Sequence, residues 1–408
     1  MKVAIHTLGC KVNQCDTENM ISHLARLGLS FCDFNEKADV YIINTCTVTH
    51  VSDKKSMQMI SRAKRQNPTA FIAVCGCMTQ KELPKNFLAD YIFDARKPEE
   101  IVKILSKKIL TKTANCDAHI KRTRSFIKIQ DGCERFCSYC IVPYVRGPNM
   151  SRKKNEIIDE IKNLIYNGTQ EVVLTGINVS SYNDDGGFTG LLHDLLCVPG
   201  LIRLRLSSID PTAIDDEFLA LAAKYDNLCP HFHLSMQSGS NRVLKKMNRK
   251  YTAEGYFSIV ESLRSIHPNA GITTDVIVGF PGESEKCFLD TYSLSQAVGF
   301  SDMHIFEYSK REGTPAALLD GQILSEVKKQ RSKKLKILAN QLKVSFLKKQ
   351  VGKTLQVLFE TAREPGIFNG FSKEYARALV YSDESLKNKI KNVKITGIFE
   401  DMLEGCVT

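Results

Sequence analysis

Cys133, Cys137 and Cys140 lie within ten residues, in Asp131-Gly132-Cys133-Glu134-Arg135-Phe136-Cys137-Ser138-Tyr139-Cys140. Three thiolates on one short loop, spaced C-x3-C-x2-C, can ligate three irons of a [4Fe-4S] cluster and leave the fourth iron open to a further ligand. A structural zinc site is the alternative. Zinc wants four protein ligands, usually from C-x2-C pairs, and no histidine or fourth cysteine stands close by to complete the shell. Three more cysteines, Cys10, Cys46 and Cys77, are far apart in the chain, yet each stands just beyond a short apolar run: Val3 to Leu8, Asp39 to Asn44 and Ala70 to Cys75.

The elements that must position these residues can be read from the periodicity. Residues 1 to about 106 alternate Val/Ile-rich runs with helical patterns such as Asn19 to Leu27 and Lys54 to Lys64, which predicts an α/β domain with a parallel sheet. In such sheets the carboxyl ends of the strands share one edge, so Cys10, Cys46 and Cys77 can converge there on a second cluster. Cys75 competes with Cys77, but it falls inside the apolar run, where a thiol behaves as a small buried hydrophobe. Cys77 follows Gly76, whose freedom in φ suits a loop folding tightly around a ligand. Cys15 and Cys32 read as ordinary thiols.

From Ser125 to Gly321 six strand-like runs, 126–130, 171–175, 202–206, 231–236, 272–278 and 303–308, alternate with helical stretches. This is three quarters of a (β/α)8 barrel, whose sites lie at the carboxyl ends of the strands. The residues found there are polar or glycine: Thr175, Gly176 and Asn178 after the second run, Ser207 and Ser208 after the third, Gln237 after the fourth, Gly279 after the fifth. Ser325 to Gln350 predicts a long helix with Leu335, Leu338, Leu342 and Phe346 on one face. Beyond it, the alternating runs Leu355 to Phe359, Ala376 to Tyr381 and Asn392 to Ile398 have the pattern of a small β-barrel. The boundaries expected are 1–115, 120–345 and 346–408.

The chain has 408 residues, 43% hydrophobic and 25% charged, which is the composition of a globular protein and excludes general disorder. No run approaches the length of a membrane span, and residues 1 to 6 lack the apolar core of a signal peptide, so a cytoplasmic location is expected. In a reducing compartment its 14 cysteines argue for metal or redox chemistry over disulfides. The net charge of +11 is concentrated in two runs: Ser325 to Lys353 holds nine lysines and Arg331 against Glu326, and Lys107 to Lys128 holds seven basic residues against Asp117. Concentrated positive charge is the footprint of a polyanion partner, with a solvated helix face as the plain alternative.

With Tyr139 just before its last cysteine, the C-x3-C-x2-C loop resembles the signature of the radical S-adenosylmethionine (SAM) enzymes. Thr7-Leu8-Gly9-Cys10-Lys11-Val12-Asn13-Gln14, Asn44-Thr45-Cys46-Thr47-Val48-Thr49 and Gly76-Cys77-Met78-Thr79-Gln80 resemble the amino-terminal domain of the methylthiotransferases. The first loop is closest to the branch acting on N6-threonylcarbamoyladenosine in tRNA. Phe306-Glu307-Tyr308-Ser309-Lys310-Arg311-Glu312-Gly313-Thr314-Pro315 resembles the family's F-P-Y-S-x-R-x-G-T-P, with Glu307 in place of proline, and Asp94-Ala95-Arg96-Lys97 stands where a Gly-Asn turn is usual. The terminal barrel resembles the tRNA-binding TRAM domain.

The resemblance implies two [4Fe-4S] clusters, one on Cys133, Cys137 and Cys140 that chelates SAM, the other on Cys10, Cys46 and Cys77 that carries the sulfur to be inserted. It further implies that Tyr139, Thr175, Gly176, Asn178, Ser207, Ser208, Gln237 and Gly279 contact SAM. The reaction implied is methylthiolation at C2 of adenosine 37, beside the tRNA anticodon, fed by an electron donor. Two SAM molecules would be used, one as methyl donor and one as radical source. An aromatic C–H is not acidic enough for a side-chain base, so no catalytic acid or base is expected and the radical cofactor carries that step. The rival readings are the isopentenyladenosine branch of the family and a non-catalytic RNA-binding protein with zinc.

Overall fold

The computed structural model describes residues 1–83, 87–107 and 123–408. They form two compact units: Met1–Lys121 with Asp131–Arg135 and Cys140–Asn149, and Arg122–Gln130 with Phe136–Tyr139 and Met150–Thr408.

In the first unit β1 (Lys2–Thr7), β2 (Ser30–Cys32), β3 (Val40–Thr45), β4 (Phe71–Gly76) and β5 (Tyr91–Ile92) make a parallel sheet in the order β2-β1-β3-β4-β5. All six residues of β3 are buried because helices cover both faces. The side chains alternate accordingly: Val3, Val40, Ile42, Ala73 and Cys75 pack with Met20 and Leu24 of α1 (Lys11–Ala25) and Ile101 and Leu105 of α3 (Pro98–Ser106). Ala4, Tyr41, Ile43, Ile72 and Val74 pack on the other side with Ile60 and Ala63 of α2 (His50–Gln66). Thr49 caps α2 by accepting the Ser52 N–H at 3.1 Å. The short helix α4 (Val142–Arg146) also belongs to this unit.

In the second unit β6 (Arg124–Asp131), β8 (Glu171–Gly176) and β9 (Leu204–Leu206) are parallel, with β7 (Met150–Ser151) beside β6. A further sheet continues as β10 (Ser208–Ile209), β11 (His231–Leu234), β12 (Gly271–Val278) and β13 (Asp302–Glu307). Ser207 alone separates β9 from β10, so these are two pieces of one strand and the six expected βα units are all present. One continuous core joins the helix-facing residues, among them Ile127, Leu174, Leu204, Phe232, Val276 and Met303. It includes side chains from α5 (Lys154–Tyr166), α6 (Gly187–Leu196), α7 (Asp216–Lys224), α9 (Ala253–Ile266), α10 (Glu285–Val298) and α11 (Ser325–Lys348). Since strand side chains alternate, the opposite, concave face carries Gln130, Thr175, Ser207, Ser235, His233, Asp275 and His304. The remaining helix, α8 (Asn241–Lys246), follows the fourth strand end.

The terminal barrel is closed, in the order β14-β15-β16-β18-β17, from β14 (Thr354–Glu364), β15 (Ile367–Ser372), β16 (Arg377–Tyr381), β17 (Ile390–Phe399) and β18 (Met402–Val407). It is joined to the amino-terminal end of the βα sheet by buried charge. Glu171 accepts from Arg205 at 2.7 Å and lies 3.5 Å from Arg203, and both arginines donate onward to backbone carbonyls of Gln356, Phe371, Ser372 and Lys373. Arg124 donates to Glu360 and sits over the Phe371 ring, while His231 stacks on Tyr375 at 4.5 Å. The chain comes so close that a Cβ on Gly271 would fall 2.0 Å from the Glu374 carbonyl oxygen.

Several residues of the two basic runs are bonded within the protein. Arg331 is buried against Glu283 at 2.7 Å, Lys328 donates to the Tyr308 carbonyl at 3.0 Å, and Lys343 pairs with Asp401 at 2.8 Å. Arg124, counted in the other run, is engaged with Glu360, and residues 108–122 of that run lie outside the described residues. No described helix is long and apolar enough to cross a membrane.

Candidate cluster and cofactor site

Cys46 directly follows β3 and Cys77 directly follows β4, while Cys10 stands three residues beyond β1; these three strands are neighbours, which brings the loops together. Glycine makes the approach possible. A Cβ on Gly76, at φ +92°, would sit 2.4 Å from both Asn44 Oδ1 and the Thr45 carbonyl oxygen; one on Gly9, at φ +102°, would sit 3.0 Å from Cys46 Cβ. Asn13 then ties the first loop down, donating to the carbonyls of Leu8 at 2.7 Å and Thr45 at 3.0 Å, and its Oδ1 accepts from Cys10 Sγ at 3.7 Å and from Arg146 Nη2. Cys75, wholly buried in β4, takes no part in this arrangement.

Arg146 is one of two arginines at the cysteine groups that sequence reasoning missed. Its Nε donates to Cys77 Sγ at 3.3 Å, and its Nη1 donates to Asp16 Oδ2 at 3.1 Å and to Asp131 Oδ2 at 3.0 Å. Burial works against this cation, but Cys77, Asp131 and Asp16 more than offset it, so the guanidinium stays charged. Burial pushes the Cys77 thiol up to about 11 although Arg146 acts in the opposite sense. The fixed cation beside this sulfur acts against the penalty that burial places on a thiolate. The Asp94 to Lys97 segment, which departs from the family pattern, also serves Arg146: Arg96 is clamped by Asp94 at 2.6 Å and donates to the Arg146 carbonyl at 2.9 Å.

The donor set fits a cluster better than one ion. Tetrahedral zinc at about 2.3 Å from each sulfur would hold the sulfurs about 3.8 Å apart. Among the described residues, the one group of three whose ligand atoms all lie within 4.8 Å of one another is His233, Asp275 and His304, and it contains no cysteine.

The C-x3-C-x2-C loop is divided between the units, Cys133 and Cys140 in the first and Cys137 in the second. In the first unit Gly132, at φ +73°, has no room for a side chain, because a Cβ would fall 1.8 Å from the Pro148 carbonyl oxygen, and the Cys133 N–H donates to the Gly147 carbonyl at 3.1 Å. In the second, Phe136 takes φ +46° and Ser138 is pinned by three bonds: N–H to the Met247 carbonyl, Oγ to the Lys246 carbonyl, and its own carbonyl to the Ala316 N–H. Arg249, also missed, donates to Cys137 Sγ at 3.3 Å and to Asp210 Oδ2 at 2.8 Å. Burial opposes this cation too, and Tyr139, Tyr251, Cys137 and Asp210 raise it above the ordinary arginine value. No sequence signal marked either arginine, since each meets its cysteine across 69 or 112 residues of chain.

The predicted cofactor residues of the second unit lie along the carboxyl ends of its strands. Thr175 and Ser207 are buried, and Ser207 Oγ has no hydrogen-bond partner among the described residues, as a hydroxyl kept for a bound molecule would not. A Cβ on Gly176 would meet Gln130 Oε1 at 2.9 Å, and the same oxygen accepts the Asn178 N–H at 2.9 Å. Ser208 Oγ bonds Ser235 Oγ at 3.0 Å. Gln237 adopts φ +62°, uncommon for a non-glycine residue, with its backbone bonded to Asp275 and Ile277. Tyr139 packs against Val243, Met247, Phe280 and Tyr308. Gly279, at φ +71°, lies against the Lys328 side chain, whose Cγ is 2.3 Å from where a Cβ would stand. Glu307 ends β13 exposed.

An open six-strand βα sheet with polar strand ends and a C-x3-C-x2-C loop after its first strand fit a radical SAM enzyme. Residues 127–295 match the radical SAM superfamily, and residues 2–94 match the family described as uncharacterized protein family UPF0004. The chain is 38% identical to the threonylcarbamoyladenosine tRNA methylthiotransferase MtaB of Bacillus subtilis, over 96% of this chain and 93% of that protein. It is 35% identical to a tRNA-2-methylthio-N(6)-dimethylallyladenosine synthase of Oceanobacillus iheyensis, over 97% and 82%. The chain belongs to the radical SAM methylthiotransferase family. Its cofactors are accordingly SAM and two [4Fe-4S] clusters. The fold also resembles the radical SAM methyltransferase TsrM of Kitasatospora setae, with TM-score 0.58 at 14% identity, over 90% of this chain and 80% of that one.

Proposed function

We propose that this protein transfers a methylthio group to C2 of N6-threonylcarbamoyladenosine at position 37 of tRNA. The observation that carries the reading is the presence of two separate cysteine groups, each with a buried, aspartate-held arginine on one thiol, in a chain of this family. Cys10, Cys46 and Cys77 hold the auxiliary cluster, and Cys133, Cys137 and Cys140 hold the cluster that chelates SAM. When bound, the two clusters and SAM supply the methylthio group and the hydrogen-abstracting radical. The chain's own residues bind and orient. Ser207, Ser208, Gln237 and the turn Thr175 to Asn178 receive the polar groups of SAM, and Arg146 and Arg249 offset the negative charge that thiolate ligands bring into buried surroundings.

A base of the anticodon loop is single-stranded and can enter a pocket without breaking a helix. A one-electron donor must serve the SAM cluster, and the tRNA substrate sets the reaction in the cytoplasm. Identity to the threonylcarbamoyladenosine enzyme exceeds that to the dimethylallyladenosine enzyme, 38% against 35%, which favours the former substrate. Nucleoside mass spectrometry after reaction of the anaerobically reconstituted protein with tRNAs of each kind tests it. The 2-methylthio derivative of N6-threonylcarbamoyladenosine is expected. Product from the dimethylallyl nucleoside alone would reassign the branch, and zinc in place of iron would remove the enzyme reading.

A further inference from the structure

His233, Asp275 and His304 stand on three adjacent parallel strands of the second unit, β11, β12 and β13, with Asp275 and His304 directly paired in register. Their ligand-forming atoms all lie within 4.8 Å of one another. They are on the concave face, because their neighbours Phe232, Leu234, Val276 and Met303 pack into the helix-facing core. His233 and Asp275 each lie four residues before the polar strand ends at Gln237 and Gly279, about 13 Å along a strand.

The geometry of the group is fixed on one side and open on the other. Thr273 Oγ1 bonds His233 Nδ1 at 3.0 Å and His231 Nε2 at 3.1 Å, which turns His233 Nε2 toward Asp275 Oδ2 at 3.3 Å. The His304 ring lies 5.9 Å from that of His233 and is exposed, with no hydrogen-bonding partner among the described residues. A held imidazole–carboxylate pair beside an exposed imidazole is a poor surface for an apolar group. A dimethylallyl chain would desolvate all three side chains and offer no polar atom in return. A threonylcarbamoyl group offers a carboxylate for His304, a hydroxyl for Asp275, and ureido N–H groups.

Resting on the substrate reading above, we propose that His233, Asp275 and His304 recognise the threonylcarbamoyl side chain of adenosine 37 and set the enzyme's choice between polar and apolar N6 substituents. His304 supplies the contact that selects, and Thr273 and Asp275 hold His233 in place for it.

The test is binding by the holoprotein to three anticodon stem-loop RNAs that differ only at position 37: adenosine, N6-threonylcarbamoyladenosine and N6-dimethylallyladenosine. The parent should bind the threonylcarbamoyl RNA about tenfold or more tightly than the adenosine RNA, since a site built to bond a polar group discriminates against its absence. His304→Phe should bring these two affinities to within about twofold, with iron content and affinity for the adenosine RNA as in the parent; His304→Gln should recover part of the preference. Should His304→Phe lose iron or fail to fold, Asp275→Asn carries the same expectation. If the parent shows the preference and both variants keep it in full, the proposal is overturned while the substrate reading stands. If the parent prefers the dimethylallyl RNA, the substrate reading itself has failed. One equivalent of zinc in the parent, lost in His304→Phe, would make the group a metal site and overturn recognition.

Discussion

Cys75 and Cys77 show what two residues of chain can change. Cys75 is paired with Asn44 across β3 and β4, packs among Val3, Ile42 and Ala73, and has its thiol pushed well above the ordinary range by burial. Cys77 begins the turn after Gly76 and receives the Arg146 guanidinium. The residue types and the glycine between them were enough to choose Cys77 from sequence; the arginine that makes the choice chemically sensible was not visible there, because it comes from α4. Cys77→Ala is expected to lose one of two clusters, halving the iron per chain, while Cys75→Ala should keep all of it and lose about 1 kcal/mol of stability from the small cavity left. Iron analysis with thermal unfolding checks both, and equal iron loss in Cys75→Ala would show that the ligand lies two residues earlier.

Strands were legible where their signal is local. The Val/Ile runs of the parallel sheets give β3, β4, β8 and β12 nearly to their ends, and the polar residues after them mark the rim. The runs read from the sequence include neither β15 nor β18, and the structure gives the reason: a Cβ on Gly370 would fall 2.4 Å from the Leu358 carbonyl oxygen, and one on Gly405 2.4 Å from that of Lys394. In so small a barrel glycine marks close strand approach, whereas in sequence it reads as a turn. The charge that joins β8 and β9 to this barrel was equally hidden, being long-range. Burial raises the Glu171 carboxyl, but Arg205, Arg124 and Arg203 lower it further, and its value is depressed overall. A depressed carboxylate contributes stability that is fully present above the unfolded glutamate value, about 4.3, and is lost as pH falls through the folded value. Glu171→Gln should therefore cost about 3 kcal/mol at neutral pH, by leaving buried arginines underpaired, and should flatten the loss of stability below about pH 4. Denaturant unfolding across pH measures this, and an unchanged acid limb would mean that other groups set it.

At the scale of the whole chain, the net charge of +11 is less available than a count suggests, since Arg331, Lys328, Lys343 and Arg124 are held by protein partners. What remains on α11 for a polyanion is a face of exposed lysines, among them Lys329, Lys333 and Lys336 at helical spacing. The order of cysteine loops, βα units and terminal barrel was readable because each carries its own local pattern. The pairing of arginine with thiol in each cysteine group was not, because both contacts are long-range in the chain. The central claim, that the two groups do different work in one reaction, is tested by following two products at once in anaerobically reconstituted Cys46→Ala and Cys137→Ala with threonylcarbamoyladenosine-containing tRNA. Cys46→Ala should still release 5′-deoxyadenosine from SAM and form no methylthiolated nucleoside, and Cys137→Ala should form neither. Methylthiolated nucleoside from Cys46→Ala would contradict the account.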